Sequence, residues 1–314
     1  MPDFVLSVRD VNQRQEFVNE PGRARFLAVP GNRIPQPSHE IPAAEWVARV
    51  TQAASYAIDP RTNQPLGDLL IFIHGYNNST AAAVRRLRQL KQSLQAVGYQ
   101  GAVASFDWPS DTAAITYLED RADAKQSALL LVSEGITRLA QAQQADCQIN
   151  VHLLAYSMGA FVVREAFDDA DDRRRIAAIN WTVSQLCLVA ADISSASLSA
   201  DNAKSASLYR HALRVTNYYN PYDPILRLSN VKRVGVAPRA GRVGLPLAAP
   251  AKAVDVDCGP YFRTLEDVRN GYAAEGAHSF YFGNLLFAQD LRYTLRGEIA
   301  ALHIPTRVLL EGRL

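Results

Sequence analysis

Residues Ile149 to Ala155 (INVHLLA) form an apolar run that passes directly into Tyr156-Ser157-Met158-Gly159 and then into a helical pattern over Ala160 to Phe167. No other stretch of this chain limits its fold as tightly. A strand apolar along its length is buried on both faces, as in the middle of a mostly parallel sheet. A helix that starts just after a serine at the strand's end needs a sharp turn. The turn brings the two backbones together, so the positions two before and two after the serine must be small. Ala155 and Gly159 meet that demand. Such an elbow points the serine Oγ outward above a helix N-terminus, whose N–H groups and positive dipole end favour a developing anion. The plain alternative is a strand-to-helix loop with a capping serine, and the rest of the chain has to separate the two.

The surrounding pattern alternates short β-rich runs with longer helical ones, which argues for βα units. Leu69 to Ile73 (LLIFI) is the first clear strand. Ser79 or Thr80 can then cap a helix with Val84, Leu87, Leu90, Leu94 and Val97 on one stripe. Gly101 to Phe106 is a strand ended by Asp107-Trp108-Pro109-Ser110, and a helix is expected from about Glu119 to Gln143. Later strands are expected at Leu186 to Ala190, Leu213 to Asn217 and Ala253 to Val256. The fold class is therefore α/β, with a mostly parallel central sheet and helices on both faces. Residues 1–60 read as an irregular N-terminal extension packed on a single domain spanning 61–314. Asp168 to Arg175 is a solvated charge run. Gly235 to Pro250, rich in Gly, Pro and Arg, reads as a long loop, either a lid or a surface excursion.

Ser157 as a nucleophile needs a base that titrates near neutrality, hence a histidine. On α/β-hydrolase scaffolds the chain order is serine, acid, histidine, so His39, His74 and His152 come too early. His211 opens an expected strand and His303 lies in an apolar C-terminal segment. His278, in Gly276-Ala277-His278-Ser279 between the strand AVDVD and an apolar helix starting near Phe280, is the suitable one. Two aspartates can hold its imidazole. Asp223 lies in a turn after the strand LRVTN and is preferred; Asp192, after LCLVA, is the alternative acid. The backbone N–H groups of Tyr76, in the loop after LLIFI, and of Met158 are expected to form the oxyanion hole. Gly75 lets that loop approach the reacting carbonyl. His74, Tyr156 and Trp108 are assigned to pocket or loop support.

Taken in order, His74-Gly75-Tyr76-Asn77, Phe106-Asp107-Trp108-Pro109-Ser110, Tyr117 with Asp120-Arg121, Ala155-Tyr156-Ser157-Met158-Gly159 and Gly276-Ala277-His278-Ser279 resemble the bacterial α/β-hydrolase family DUF900. The resemblance covers roughly residues 65 to 290. It implies an α/β-hydrolase fold and carboxylic-ester hydrolase chemistry. It also favours Asp223 over Asp192, because Tyr222-Asp223-Pro224-Ile225-Leu226 matches the family's acid segment apart from the proline. The family's usual histidine before the elbow serine is Tyr156 here.

The expected activity is a serine hydrolase forming an acyl-enzyme on a small-molecule acyl substrate. Acyl transfer on the same residues, and a catalytically silent binding module, are the alternatives. Thirty-three basic against 31 acidic residues give a net charge of +2, which offers no footprint for nucleic acid. Cys147, Cys187 and Cys258 have no CxxC spacing, so neither a disulfide framework nor a metal site is expected, and no phosphate or dinucleotide loop implies a cofactor. Without a signal peptide or membrane-length apolar run, a cytoplasmic location is expected. The N-glycosylation patterns at Asn77, Asn78 and Asn180 are read as chance.

Overall fold

Along the LLIFI run, Leu69, Ile71 and Ile73 enter one apolar core while Leu70 and Phe72 enter another. That period of two is what a strand covered on both faces produces. The computed structural model describes residues 1–76, 78–110, 117–142, 148–178, 181–231, 237–266, 273–298 and 304–312. Its strands are β1 (Asp3–Val11), β2 (Phe17–Val29), β3 (Ser55–Ile58), β4 (Pro65–Ile73), β5 (Ala102–Asp107), β6 (Gln148–Tyr156), β7 (Val183–Val189), β8 (Ala212–Tyr219) and β9 (Ala253–Asp257). Among the described residues they form one sheet in the order β2-β1-β5-β4-β6-β7-β8-β9, with β3 on β4 off that path. Every pairing from β1 to β9 is parallel; β2 and β3 join antiparallel.

Helices α1 (Ala43–Ala54), α2 (Thr80–Ala96), α3 (Tyr117–Leu130), α4 (Thr137–Ala142) and α5 (Gly159–Asp171) follow the strands. Trp46 and Val50 of α1 and Phe161, Val162 and Phe167 of α5 fill the first core. Val84, Leu87, Leu90 and Leu94 of α2, with Phe287 and Leu291 of the helix Leu285–Leu295, fill the second. Val84, Leu87, Leu90 and Leu94 of the expected stripe thus lie on the buried face of α2, while Val97 is its half-buried C-cap, and Ser79 Oγ caps the start by accepting from Ala82 N at 3.2 Å.

Four expectations need correction. Residues 1–60 are not irregular, since β1 is an interior strand paired with both β2 and β5. Asp3 and Arg9 disguise it in the sequence, yet both are buried as ion pairs, Asp3 with Arg88 at 2.7 Å and Arg9 with Asp107 at 3.0 Å. The helix expected over 119–143 is interrupted by a π-helical turn at Leu131–Ile136, where Gly135 lets the bulge sit against Leu6. The expected loop 235–250 contains a short helix, Ala240–Val243, which packs so closely on the end of β7 that a Cβ on Gly241 would stand 2.1 Å from Ala191 N. His211 ends the helix Ala203–His211 rather than opening a strand. Cys147, His303, Asn77, Asn180 and residues 235–236 lie outside the described residues.

Candidate active site

Parallel pairing carries the ends of β4, β6 and β8 to one edge of the sheet, and the candidate groups stand there. Ser157 follows β6 directly and has φ +54°, a left-handed conformation rare for a residue with a side chain. Its neighbours hold it in that turn: Ser157 N donates to Val189 O at 2.9 Å, and Asp192 N donates to Ser157 O at 3.0 Å. Gly159 is required because a Cβ there would stand 2.5 Å from Ile73 O and 2.8 Å from His74 O. Gly75 is required for the same reason, with its Cβ position 2.8 Å from Ser157 Cβ. The loop after β4 therefore lies directly on the serine.

His278 Nε2 is 3.0 Å from Ser157 Oγ, and His278 Nδ1 is 2.6 Å from Asp223 Oδ2. Asp223 is fully buried; its other oxygen, Oδ1, accepts from Ile225 N at 2.9 Å and Leu226 N at 3.1 Å at the start of the helix Pro224–Val231. One carboxylate thus caps a helix and holds an imidazole at once. Asp192 is elsewhere, paired at 3.1 Å with the buried Arg239. His278 is not in a loop as expected but in the last turn of the helix Ala273–Ser279. Asn220, which no sequence signal singled out, ties the two segments together by donating from Nδ2 to Ala277 O at 3.0 Å.

Tyr76 follows Gly75 in the loop that lies on the serine, and Met158 follows the serine in the chain. Met158 is the N-cap of α5, so its N–H is among the groups the helix cannot satisfy internally. Tyr156 is buried, with its ring 5.1 Å from that of His278 and the Arg86 guanidinium 4.9 Å from its ring centre. Burial pushes its phenol well above the usual range. Trp108 supports His74 by stacking at 5.5 Å and by donating from Nε1 to His74 O at 2.8 Å. His74 Nδ1 donates to Gly75 O at 2.9 Å, and its Nε2 lies 3.1 Å from Asp107 Oδ1.

Asp107 anchors a polar group behind this loop that sequence reasoning did not find. Ser7 Oγ donates to it at 2.9 Å and Arg9 Nε reaches both its oxygens, at 3.0 and 3.1 Å. Burial pushes the Asp107 carboxyl up, but the Arg9 guanidinium and His74 outweigh it and hold the group down at about 2. A carboxyl lowered by folding stabilises the native state above its unfolded pKa, and that contribution fades as pH falls through the folded value. The stability gap between the wild-type protein and Asp107→Asn is accordingly expected to narrow by about 2 kcal/mol between about pH 5 and pH 2. Denaturant midpoints across that range check it, and a gap that stays constant with pH would contradict it.

Among the described residues there is no group of three or more His, Cys, Asp or Glu placed to hold a metal ion, and no helix is long and apolar enough to cross a membrane. No curated protein matches the chain. Similar solved structures include a cutinase-like protein from Cryptococcus sp., at 14% identity and TM-score 0.39 over 76% of this chain and 96% of that one. A lipase-esterase related protein from Clostridium acetobutylicum is similar at 10% identity and TM-score 0.37, covering 73% of this chain and 93% of that one. Esterase B from Lactobacillus rhamnosis is similar at 10% identity and TM-score 0.36, covering 81% and 93% respectively. The family described as alpha/beta hydrolase of unknown function (DUF900) matches residues 53–252, more than half of the 314-residue chain, and the chain belongs to that family.

Proposed function

We propose that this protein is a serine hydrolase that cleaves carboxylic esters through an acyl-enzyme on Ser157. The observation that carries this reading is the continuous hydrogen-bonded path from Ser157 Oγ through His278 to the buried Asp223, with spacings of 3.0 and 2.6 Å. Ser157 Oγ attacks the ester carbonyl while its proton passes to His278 Nε2. The carbonyl's π electrons move to oxygen, where the N–H groups of Tyr76 and Met158 receive the charge, each donor being worth about 3 kcal/mol. Collapse breaks the bond to the leaving alcohol, which takes the proton from His278. Water, activated by the same imidazole, then releases the acid. Asp223 keeps its charge throughout and stabilises the imidazolium.

The imidazole must present Nδ1–H to the carboxylate, which leaves Nε2 free to accept. Capping of a helix by the other oxygen of Asp223 prevents the carboxylate from rotating away. A panel of p-nitrophenyl esters of increasing acyl length tests the reading. Rapid mixing is expected to give a nitrophenol burst of about one equivalent per protein, followed by turnover in which acid and nitrophenol are released equally. Ester product in place of acid, when an alcohol is added, would mark the protein as an acyltransferase. Absence of turnover across the panel and with thioesters or amides would count against an enzyme.

A further inference from the structure

A loop amide such as the Tyr76 N–H stabilises an oxyanion only if it points at the reacting oxygen, and the preceding peptide sets that direction. Gly75 O accepts two hydrogen bonds, from His74 Nδ1 at 2.9 Å and from Asn78 Nδ2 at 2.9 Å. A trans peptide is planar, with its C=O and the next N–H pointing in opposite directions. Pinning the Gly75 carbonyl therefore pins the direction of the Tyr76 N–H. The Asn78 amide also donates to Tyr76 O at 2.8 Å, so one side chain grips the peptide units on both sides of Tyr76 Cα.

Asn78 is itself held. Its backbone N–H donates to Ser110 Oγ at 3.1 Å, and its carbonyl accepts from Arg9 Nη2 at 2.7 Å. Arg9 is fixed by the Asp107 carboxylate, and Arg9, Asn78, Asp107 and Ser110 are all buried to 2% exposure or less. A buried ion pair is an expensive way to stabilise a fold, since apolar residues of the same volume often do as well. Here one branch of the bonds from that pair runs through Asn78 to the Gly75–Tyr76 peptide. We infer that Asn78, braced by the Arg9–Asp107 pair, is a positioning residue that aims the Tyr76 N–H at the tetrahedral oxyanion. The inference rests on the serine hydrolase reading above. It gives β1 a part in the reaction, through Arg9.

Misaiming one donor weakens binding of the transition state more than binding of the substrate. Asn78→Ala and the isosteric Asn78→Asp, which removes the donors, are expected to lower kcat by about 10- to 100-fold, a fraction of what complete loss of an oxyanion donor costs. KM should stay within about threefold. The discriminating readout is the Ki of a trifluoromethyl ketone. Ser157 Oγ adds to its carbonyl, the hydroxyl proton moves to His278, and the electron pair rests on the oxyanion without a leaving group. Ki should rise by the same factor as kcat/KM falls, a correlation that a general loss of stability does not produce in folded protein. Ser110→Ala, which removes one brace, is the milder variant should the Asn78 substitutions not fold, and a smaller but parallel change in both quantities is expected. Folded variants with wild-type kcat and Ki, or with a lowered kcat and an unchanged Ki, would overturn the inference. If Ser157→Ala retained turnover, the serine hydrolase reading would fall instead.

Discussion

Ser157→Ala is expected to lower kcat on a p-nitrophenyl ester by about 10⁶-fold, leaving only what the oxyanion donors and substrate binding achieve with water. The side chain it removes has little to do with stability. Ser157 is buried to 7% exposure, its backbone bonds to Val189 and Asp192 do not involve Oγ, and alanine fills less volume. Its φ of +54° is unfavourable for alanine as for serine, so the strain of the elbow is nearly unchanged. The expected result is thus an inactive protein whose melting temperature lies within a few degrees of wild type. Differential scanning calorimetry beside steady-state kinetics measures both. A variant that keeps more than about one hundredth of the wild-type kcat would mean that the nucleophile is elsewhere.

Asp223→Asn and Asp192→Asn are expected to separate cleanly, because the two carboxylates serve different partners. Asp223 faces His278 Nδ1 at 2.6 Å, and an asparagine there can present its NH₂ to the ring, selecting the tautomer in which Nε2 carries the proton and cannot accept from Ser157. A loss of about 10⁴-fold in kcat is expected, the size seen when the acid of such a relay is neutralised. Asp192 instead neutralises Arg239, and both are nearly inaccessible. Removing one partner of a buried pair leaves an uncompensated charge, so Asp192→Asn is expected to lose about 3 kcal/mol of stability while turnover per folded molecule stays within a few-fold. Urea denaturation and active-site titration with a fluorophosphonate measure the two effects. Abolished turnover in folded Asp192→Asn, with Asp223→Asn active, would reverse the assignment.

The elbow is legible because its geometry restricts residue type: a Cβ at 159 would meet the backbone oxygens of Ile73, at the end of β4, and of His74 just after it. Chain order, with the local context of His211 and His303, singles out His278, which the structure brings within 3.0 Å of Ser157 although it lies 121 positions away. His278 lies beyond the matched stretch 53–252, and its helix is hard to see in the sequence because AAEGAHS carries a glycine, a poor helix former. What the sequence hid is consistent in kind. β1 was missed because Asp3 and Arg9 look like surface residues, and their partners Arg88 and Asp107 lie 85 and 98 positions away. Asn78, Ser110 and Asn220 were missed because a buried amide or hydroxyl leaves no periodic trace. Local pattern carries the elements; long-range polar pairing has to be seen in three dimensions.

Peptide mapping of the folded protein after reaction with a fluorophosphonate shows whether Ser157 is the covalent nucleophile. One adduct per chain is expected, on the peptide bearing Ser157, together with complete loss of ester turnover and no adduct on folded Ser157→Ala. An adduct that maps to another residue, or that persists undiminished in Ser157→Ala, would mean that Ser157 is not the nucleophile.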